Sequence, residues 1–472
     1  MNAVRPRLPR SARIVPYSGS PAQAAARLAR SGLHDQYVVY ERDNTWWYAG
    51  GSRATLSVDR SRVTLRQGDT LLHERWDTEP LTAVSRLLAT LPFDRWRAYG
   101  WAAFELSYAL GGEADAPDGA LAAAAEEPLL HLVVPAVEVC FSGDGAEVRC
   151  TGAEDADAVR GALAGPDPAG FPEPSGNGAP TALALDLGDT APGAYHDAIA
   201  RAVSAIRDGQ LQKVILSRTV PVPQDVDLAA TYLAGRAVNS PARSFLLRLG
   251  GIEAAGFSPE TVVEVTPDGR VSTQPLAGTR ALTGHPAADA ERRAELLTDA
   301  KEVYEHAISV QVAWEEMTAV CQDGSVRAEE FMAVKERGSV QHIASRVTGL
   351  LRGDASGPWS ALAAVFPAVT ASGVPKAAAY RAIRHLEREP RGLYSGAVLT
   401  VDSEGAMDAA LVLRTVFRSR GRTWLRAGAG VVAQSRPERE FEETCEKLRS
   451  VSRSLVPAAV AGGRPDRPAL YS

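Results

Sequence analysis

The sequence predicts an α+β fold in which large antiparallel-rich sheets are flanked by helices. Three observations point there. Short β-rich runs arrive in pairs around Asp-Gly and Glu-Gly turns, as in "TVVEVTPDGRVSTQPL" and "GAVLTVDSEGAMDAALVLRTVFRSRGRTWLRAGAGVVA". Strands that come as hairpins rather than single βα units argue against a Rossmann arrangement. A chain of 472 residues with 45% hydrophobic content also has the material for a substantial core, so disorder of the whole chain is excluded.

The chain divides near residue 185. The expected units are an N-terminal β-rich scaffold over 1–185, a catalytic region over 186–460 and a tail over 461–472. In the first unit, "QYVVYERDNTWWYAGG", "RVTLRQGDTLLHERW" and "EPLLHLVVPAVEVCFSG" read as strands closed by turns, and "LTAVSRLLATLP" as a helix. The stretches "GGEADAPDGALAAAAEE" (111–127) and "GPDPAGFPEPSGNGAP" (165–180) are too poor in large apolar residues to order themselves and read as loop and linker. In the second unit, "AYHDAIARAVSAIRDGQ" has a helical repeat, "KVILSRTVPV" and "SFLLRL" are strands, and "DAKEVYEHAISVQVAWEEMTAV" is a long helix. An acidic helix, "PEREFEETCEKL", follows the last strands, and no internal repeat is visible.

Composition narrows the function. A net charge of −6 leaves no broad basic surface, so nucleic acid is not an expected partner. Cys140, Cys150, Cys321 and Cys445 form no CxxC pair, which fits a reducing cytoplasm better than a disulfide framework or a zinc knuckle. The basic start "MNAVRPRLPRSARIVPY" runs into no apolar segment of signal-peptide length, and no window approaches a membrane span. A cytoplasmic protein is expected.

The acidic helix is unusual in its charge. At about 100° per residue, Glu440, Glu443 and Lys447 share one face, Phe441, Cys445 and Leu448 form an apolar stripe, and Glu438, Glu442 and Glu446 lie on a third side. The long helix repeats the spacing, with Glu302 and Glu305 opposite a stripe containing Val303, Val310 and Trp314. Read alone, Glu-x-x-Glu is more often a solvated face. Four carboxylates from two helices would also suit a hard divalent cation, Mg²⁺ in particular, bridging to an anionic ligand.

The segments between these helices decide the matter. "RDGQLQKVILSR" (207–218), "GFSPETVVEV" (256–265), "QPLAGTRAL" (274–282), "KEVYEH" (301–306), "VKERGSVQHIASRV" (334–347), "FPAVTASGVPK" (366–376), "RGLYSGAVL" (391–399), "LRAGAGVVAQS" (425–435) and "PEREFEETCEKL" occur in that order. Together they resemble the chorismate-utilising enzymes, the family of anthranilate synthase component I, isochorismate synthase and salicylate synthase. The resemblance runs from about residue 190 to 455 and is greatest to the siderophore-type salicylate synthases.

That resemblance implies the anthranilate synthase component I-like fold, chorismate as substrate and Mg²⁺ as cofactor. It places a general base at Lys213 and a general acid at Glu260, for adding water at one ring carbon while a hydroxyl leaves another. A lysine at a strand end more often snorkels to solvent, so the role rests on the resemblance. As a base it would need a lowered pKa, and as an acid Glu260 a raised one. Glu305 and Glu443 would hold the metal, Glu302 and Glu440 would act through its waters, and Lys447 would balance charge. Tyr394 and Arg414 match positions that hold the enolpyruvyl carboxylate, where a guanidinium fork suits a planar anion. Gly428 and Gly430 would let backbone N–H groups approach the substrate. Thr279 and His342 would line the ring pocket, although a lone histidine is more often a satisfied core residue.

Two positions depart from relatives. Gln274 stands where close relatives often carry glutamate. Ala277 stands where aminodeoxychorismate synthases commonly carry a nucleophilic lysine, which disfavours that branch. Lys213 itself favours water over ammonia as nucleophile, so no glutaminase subunit is expected, and the chain would be a monomer or weak homodimer. An isochorismate synthase that releases its intermediate is the first alternative and an anthranilate-type aminating enzyme the second. A chorismate-binding regulator without chemistry is opposed by the presence of Lys213, Glu260 and all four metal-face glutamates.

Overall fold

Alternating burial along the hairpins builds two large antiparallel sheets. The computed structural model describes residues 11–76, 79–111, 127–143, 145–165, 183, 185–188, 193–338, 340–353 and 356–458. The Gly/Pro-rich stretches and the tail predicted from the sequence lie almost wholly outside these residues.

Among the described residues the first sheet has 11 strands. Its order is Ser11–Val15, Gly145–Cys150, Val137–Ser142, Thr45–Gly50, Tyr37–Arg42, Arg243–Leu249, Ile252–Ser258, Thr415–Ser419, Arg422–Val431, Lys213–Pro221 and Gly373–Val374. The second sheet has 12. It runs Leu276–Ala281, Val340–Leu350, Arg270–Thr273, Thr261–Val265, Met407–Leu411, Ala397–Asp402, Arg97–Ala102, Leu130–Val134, Ala54–Val58, Arg62–Gln67 and Thr70–Arg75, with Arg327–Arg337 also paired to Val340–Leu350. Strands from both sides of residue 185 thus share each sheet. Tyr37–Arg42 pairs with Arg243–Leu249 in one, and Arg97–Ala102 with Ala397–Asp402 in the other.

The sheets pack face to face over Tyr40, Tyr99, Trp101, Phe245, Val398 and Phe417, all buried. Helices cover the outer faces. Pro80–Ala89, Pro358–Val365 and the inward side of Ala300–Val320 close the second sheet, while Pro21–Arg30, Leu228–Val238 and Pro437–Ser452 close the first. On the long helix Val310, Ala313 and Met317 are the residues that enter the core, and Trp314, from the predicted apolar stripe, is 40% exposed. That helix starts at an Asp299 cap, whose carboxylate accepts from the Lys301 and Glu302 amides. No described helix is long and apolar enough to cross a membrane, and all four cysteines are free.

Candidate active site

A cavity of about 750 Å³ opens between the second-sheet edge and the terminal helix. Eleven of the thirteen residues singled out from the sequence line it: Glu260, Thr279, Glu302, Glu305, His342, Tyr394, Arg414, Gly428, Gly430, Glu443 and Lys447. Lys213 and Glu440 stand one layer behind the wall, each reaching it through an ion pair.

Lys213 opens the strand Lys213–Pro221 and is 1% exposed. Its ammonium lies 2.9 Å from Glu305 Oε1 and 3.4 Å from the Ser309 hydroxyl. Across the cavity Glu260 sits at the start of the strand Thr261–Val265, its backbone carbonyl accepting from the Ser258 hydroxyl and the Leu411 amide. The carboxyl is 3% exposed and takes a 2.5 Å hydrogen bond from the Thr370 hydroxyl. Burial pushes its pKa up to about 8, against the opposing pull of Thr370, Lys213 and the Leu276 amide.

Thr279 and His342 are cross-strand partners, which places both side chains on one face. His342 Nδ1 lies 3.2 Å from the Gly278 carbonyl and 3.0 Å from the Thr279 hydroxyl, while Nε2 lies 2.8 Å from an Arg414 guanidinium nitrogen. An arginine can only donate, so Nε2 accepts and Nδ1 carries the hydrogen. Burial and the Arg414 charge hold the ring neutral, with a pKa of about 3. Arg414 has φ 49°, a left-handed conformation for a residue with a side chain. Burial and the neighbouring Arg337 charge lower its pKa to about 10. Tyr394 is 3% exposed, with the Arg391 and Arg426 guanidinium carbons 5.9 Å and 5.6 Å from its ring centre.

The glycines answer to close packing. A Cβ on Gly430 would stand 2.7 Å from Glu305 Oε1, and one on Gly428 would stand 2.8 Å from the Leu216 carbonyl and 3.1 Å from the Tyr394 hydroxyl. Both residues lie on the strand Arg422–Val431, in register with Ile215 and Ser217 of the Lys213 strand.

The four glutamates face one another from the two helices, and each has a cation. Arg280 is 3.2 Å from Glu302, Lys213 2.9 Å from Glu305, Lys301 3.3 Å from Glu440 and Lys447 2.8 Å from Glu443. Among the described residues no ready-drawn cluster of three or more metal-type donors is formed, each acid being drawn toward its own cation. The donors nevertheless fit a hard divalent cation. Glu440 is 1% exposed and its Oε2 is buried with no hydrogen-bond partner. Burial and then the neighbouring acid raise the pKa of Glu302, through Glu305, and of Glu440, through Glu443. A cation bound by oxygen ligands would relieve that repulsion. Glu438, Glu442 and Glu446 are exposed.

Sequence reasoning missed Thr370, Lys301 and Arg280. Thr370 lay inside a quoted motif, and Lys301 immediately precedes Glu302, but neither residue type at that spacing announces a contact made by folding.

Comparisons with known proteins agree with this geometry. Residues 35–453 match the family described as chorismate binding enzyme. A salicylate synthase of Mycolicibacterium paratuberculosis is 41% identical over 451 residues, 94% of this chain and 95% of that one. An anthranilate synthase component 1 of Halobacterium salinarum is 42% identical over 262 residues, 55% of this chain and 49% of its own. Among solved structures, anthranilate synthase component I from Streptococcus pneumoniae superposes with TM-score 0.70 at 25% identity, over 87% of this chain and 92% of that one. The menaquinone-specific isochorismate synthase of Escherichia coli gives 0.69 at 20% identity over 95% of each chain, a likeness of fold. The chain therefore belongs to the family of chorismate-binding enzymes and has the anthranilate synthase component I-like fold.

Proposed function

We propose that this enzyme is a salicylate synthase, converting chorismate through isochorismate to salicylate and pyruvate. The observation that carries the reading is the 41% identity to a salicylate synthase along 95% of that protein's length, joined to a cavity lined by the Glu260 carboxyl, with Lys213 one layer behind its wall at Glu305. Lys213, acting as the free amine, takes a proton from the attacking water, whose oxygen bonds to one ring carbon. The ring double bonds shift and the hydroxyl on another carbon leaves as water with the proton of Glu260. Composition is unchanged, so this step is an isomerisation.

Arg414, aimed by the neutral His342, and Tyr394 hold the enolpyruvyl carboxylate, and Thr279 borders the ring. Glu302, Glu305, Glu440 and Glu443 would hold Mg²⁺, which would supply a positive anchor for the ring carboxylate. Lys447, bonded to Glu443 and the Gly428 carbonyl, balances their charge. Loss of pyruvate then needs no further base. A ring hydrogen passes to the enolpyruvyl methylene as the C–O bond breaks, and the protein's part is to hold that group over the ring. Water as nucleophile makes a glutaminase subunit unnecessary, and a monomeric or weakly dimeric cytoplasmic enzyme fits the composition.

Chorismate and Mg²⁺, supplied without ammonia, test the reading by chromatography and fluorescence. Salicylate and pyruvate in equal amounts are expected. Isochorismate accumulating without pyruvate would make the protein an isochorismate synthase. Product that appears only with ammonia would make it an aminating enzyme, and binding without turnover a regulator.

A further inference from the structure

Lys213 stands on the 11-stranded sheet, and Glu260 lies in the two-residue link by which that sheet's strand Ile252–Ser258 passes to Thr261–Val265 of the 12-stranded one. One short segment touches both. Residues Gly373 and Val374 pair with Val214 and Lys213, the Ile215 amide donates to the Ser372 carbonyl at 2.8 Å, and the Gln212 amide to Val374 at 2.8 Å. Immediately before them the turn Val369–Ala371 presents Thr370, which lines the cavity and donates to Glu260 Oε1 at 2.5 Å. The turn is itself fixed, because the Ser372 hydroxyl and the Ala371 amide both bond the Ala368 carbonyl, at 3.0 Å and 2.9 Å.

We infer that Thr370 is the positioning residue of the acid: its hydroxyl occupies Oε1 of Glu260, leaves the carboxyl proton on Oε2, and ties that oxygen's direction to the strand carrying Lys213. A carboxyl that accepts at one oxygen is a donor only at the other, so the bond selects which of two atoms delivers the proton. It also limits rotation of the carboxyl in a cavity much larger than one ring. The inference rests on the acid role proposed above for Glu260. Other groups that act on this carboxyl are the Lys213 charge and the Leu276 amide, and Arg337 donates to the adjacent Pro259 carbonyl at 3.4 Å. None of these is a side-chain hydrogen bond to Oε1, which Thr370 supplies.

Thr370→Val keeps the shape and removes the hydroxyl, and Thr370→Ser keeps the hydroxyl. We expect Thr370→Val to lose about 10- to 100-fold in kcat, the scale of a misdirected proton transfer, with KM within roughly 3-fold of wild type. The basic limb of its pH profile should move to higher pH, since a donor favouring the ionised carboxyl is gone. Thr370→Ser should restore both. A merely structural role would lower the melting temperature in both variants and leave the limb in place. Wild-type kcat with an unmoved limb in Thr370→Val overturns the inference, as does equal impairment of the two variants. If Thr370→Val does not fold, Thr370→Ala is judged by the same two readouts against Thr370→Ser. Glu260→Gln is assayed beside them. An inactive Glu260→Gln with a normal Thr370→Val removes Thr370 alone, whereas normal turnover in Glu260→Gln removes the acid role itself.

Discussion

Burial to 3% exposure keeps the Glu260 carboxyl neutral until the pH approaches about 8, against the Thr370 hydroxyl, whose hydrogen bond favours the ionised form. Two consequences separate catalysis from stability. The acid must be protonated to act, so turnover should fall as pH rises through that value. The folded pKa lies above the ordinary 4.5, so stability linked to this group is fully present below pH 4.5 and is lost as pH rises through about 8. Glu260→Gln cannot ionise. Its melting temperature should therefore gain on wild type between about pH 5 and pH 8 while its turnover stays negligible. A constant difference in melting temperature across that range, or a wild-type rate sustained above pH 9, would refute the neutral acid. Glu260 was legible in "GFSPE" because a motif fixes residue type and order. Its partner was not, since the Thr370 contact joins residues 110 apart. For the same reason the sequence offered His342 as a pocket wall, and only the strand register reveals it as the acceptor that aims Arg414.

At the scale of the element, the terminal helix shows how far periodicity reaches. Its three faces follow from angular spacing, and the buried Glu440, Cys445 and Leu448 and the exposed Glu438, Glu442 and Glu446 lie where that spacing puts them. What spacing cannot supply is the partner helix, and through it the Lys301 ammonium that meets Glu440. On the long helix the same reasoning placed Trp314 in the apolar stripe, yet the residues that meet the sheet are Val310, Ala313 and Met317. A 21-residue helix touches the core along only part of its length, and tertiary packing chooses which part. The faces differ in their expected response. Glu442 pairs with Arg449 at 2.8 Å on the exposed side, so Glu442→Gln should change stability by less than about 0.5 kcal/mol and leave Mg²⁺ binding as it was. Glu440→Gln replaces one oxygen donor of the proposed metal set and should weaken Mg²⁺ binding by about 10-fold or more. Calorimetric titration of Mg²⁺ into each protein decides it. Equal affinities would leave Glu440 as a buried ion-pair partner of Lys301 and remove it from the metal set.

Across the whole molecule, the sheets place strands from before and after residue 185 side by side. The sequence offered that residue as a boundary because composition changes there, and composition is silent on which strands pair over long separations. Tyr37–Arg42 supports Arg243–Leu249, the hairpin partner of the strand leading to Glu260. Arg97–Ala102 supports Ala397–Asp402, which pairs with Met407–Leu411 on the way to Arg414. Without the first 185 residues, both site-bearing sheets would end on bare hydrogen-bonding edges. They would also lose Tyr40, Tyr99 and Trp101 from the core between them. A chain restricted to residues 186–472 should therefore fail to fold cooperatively, although it retains every residue proposed for the chemistry. Full-length protein and the shortened chain are compared by thermal melting, dye binding to exposed apolar surface, and turnover of chorismate. The shortened chain is expected to bind dye strongly, show no sharp transition and give no salicylate. A cooperative transition with turnover would mean that the N-terminal strands are an addition to the catalytic unit, whereas their absence would mean that the site is a product of the two complete sheets.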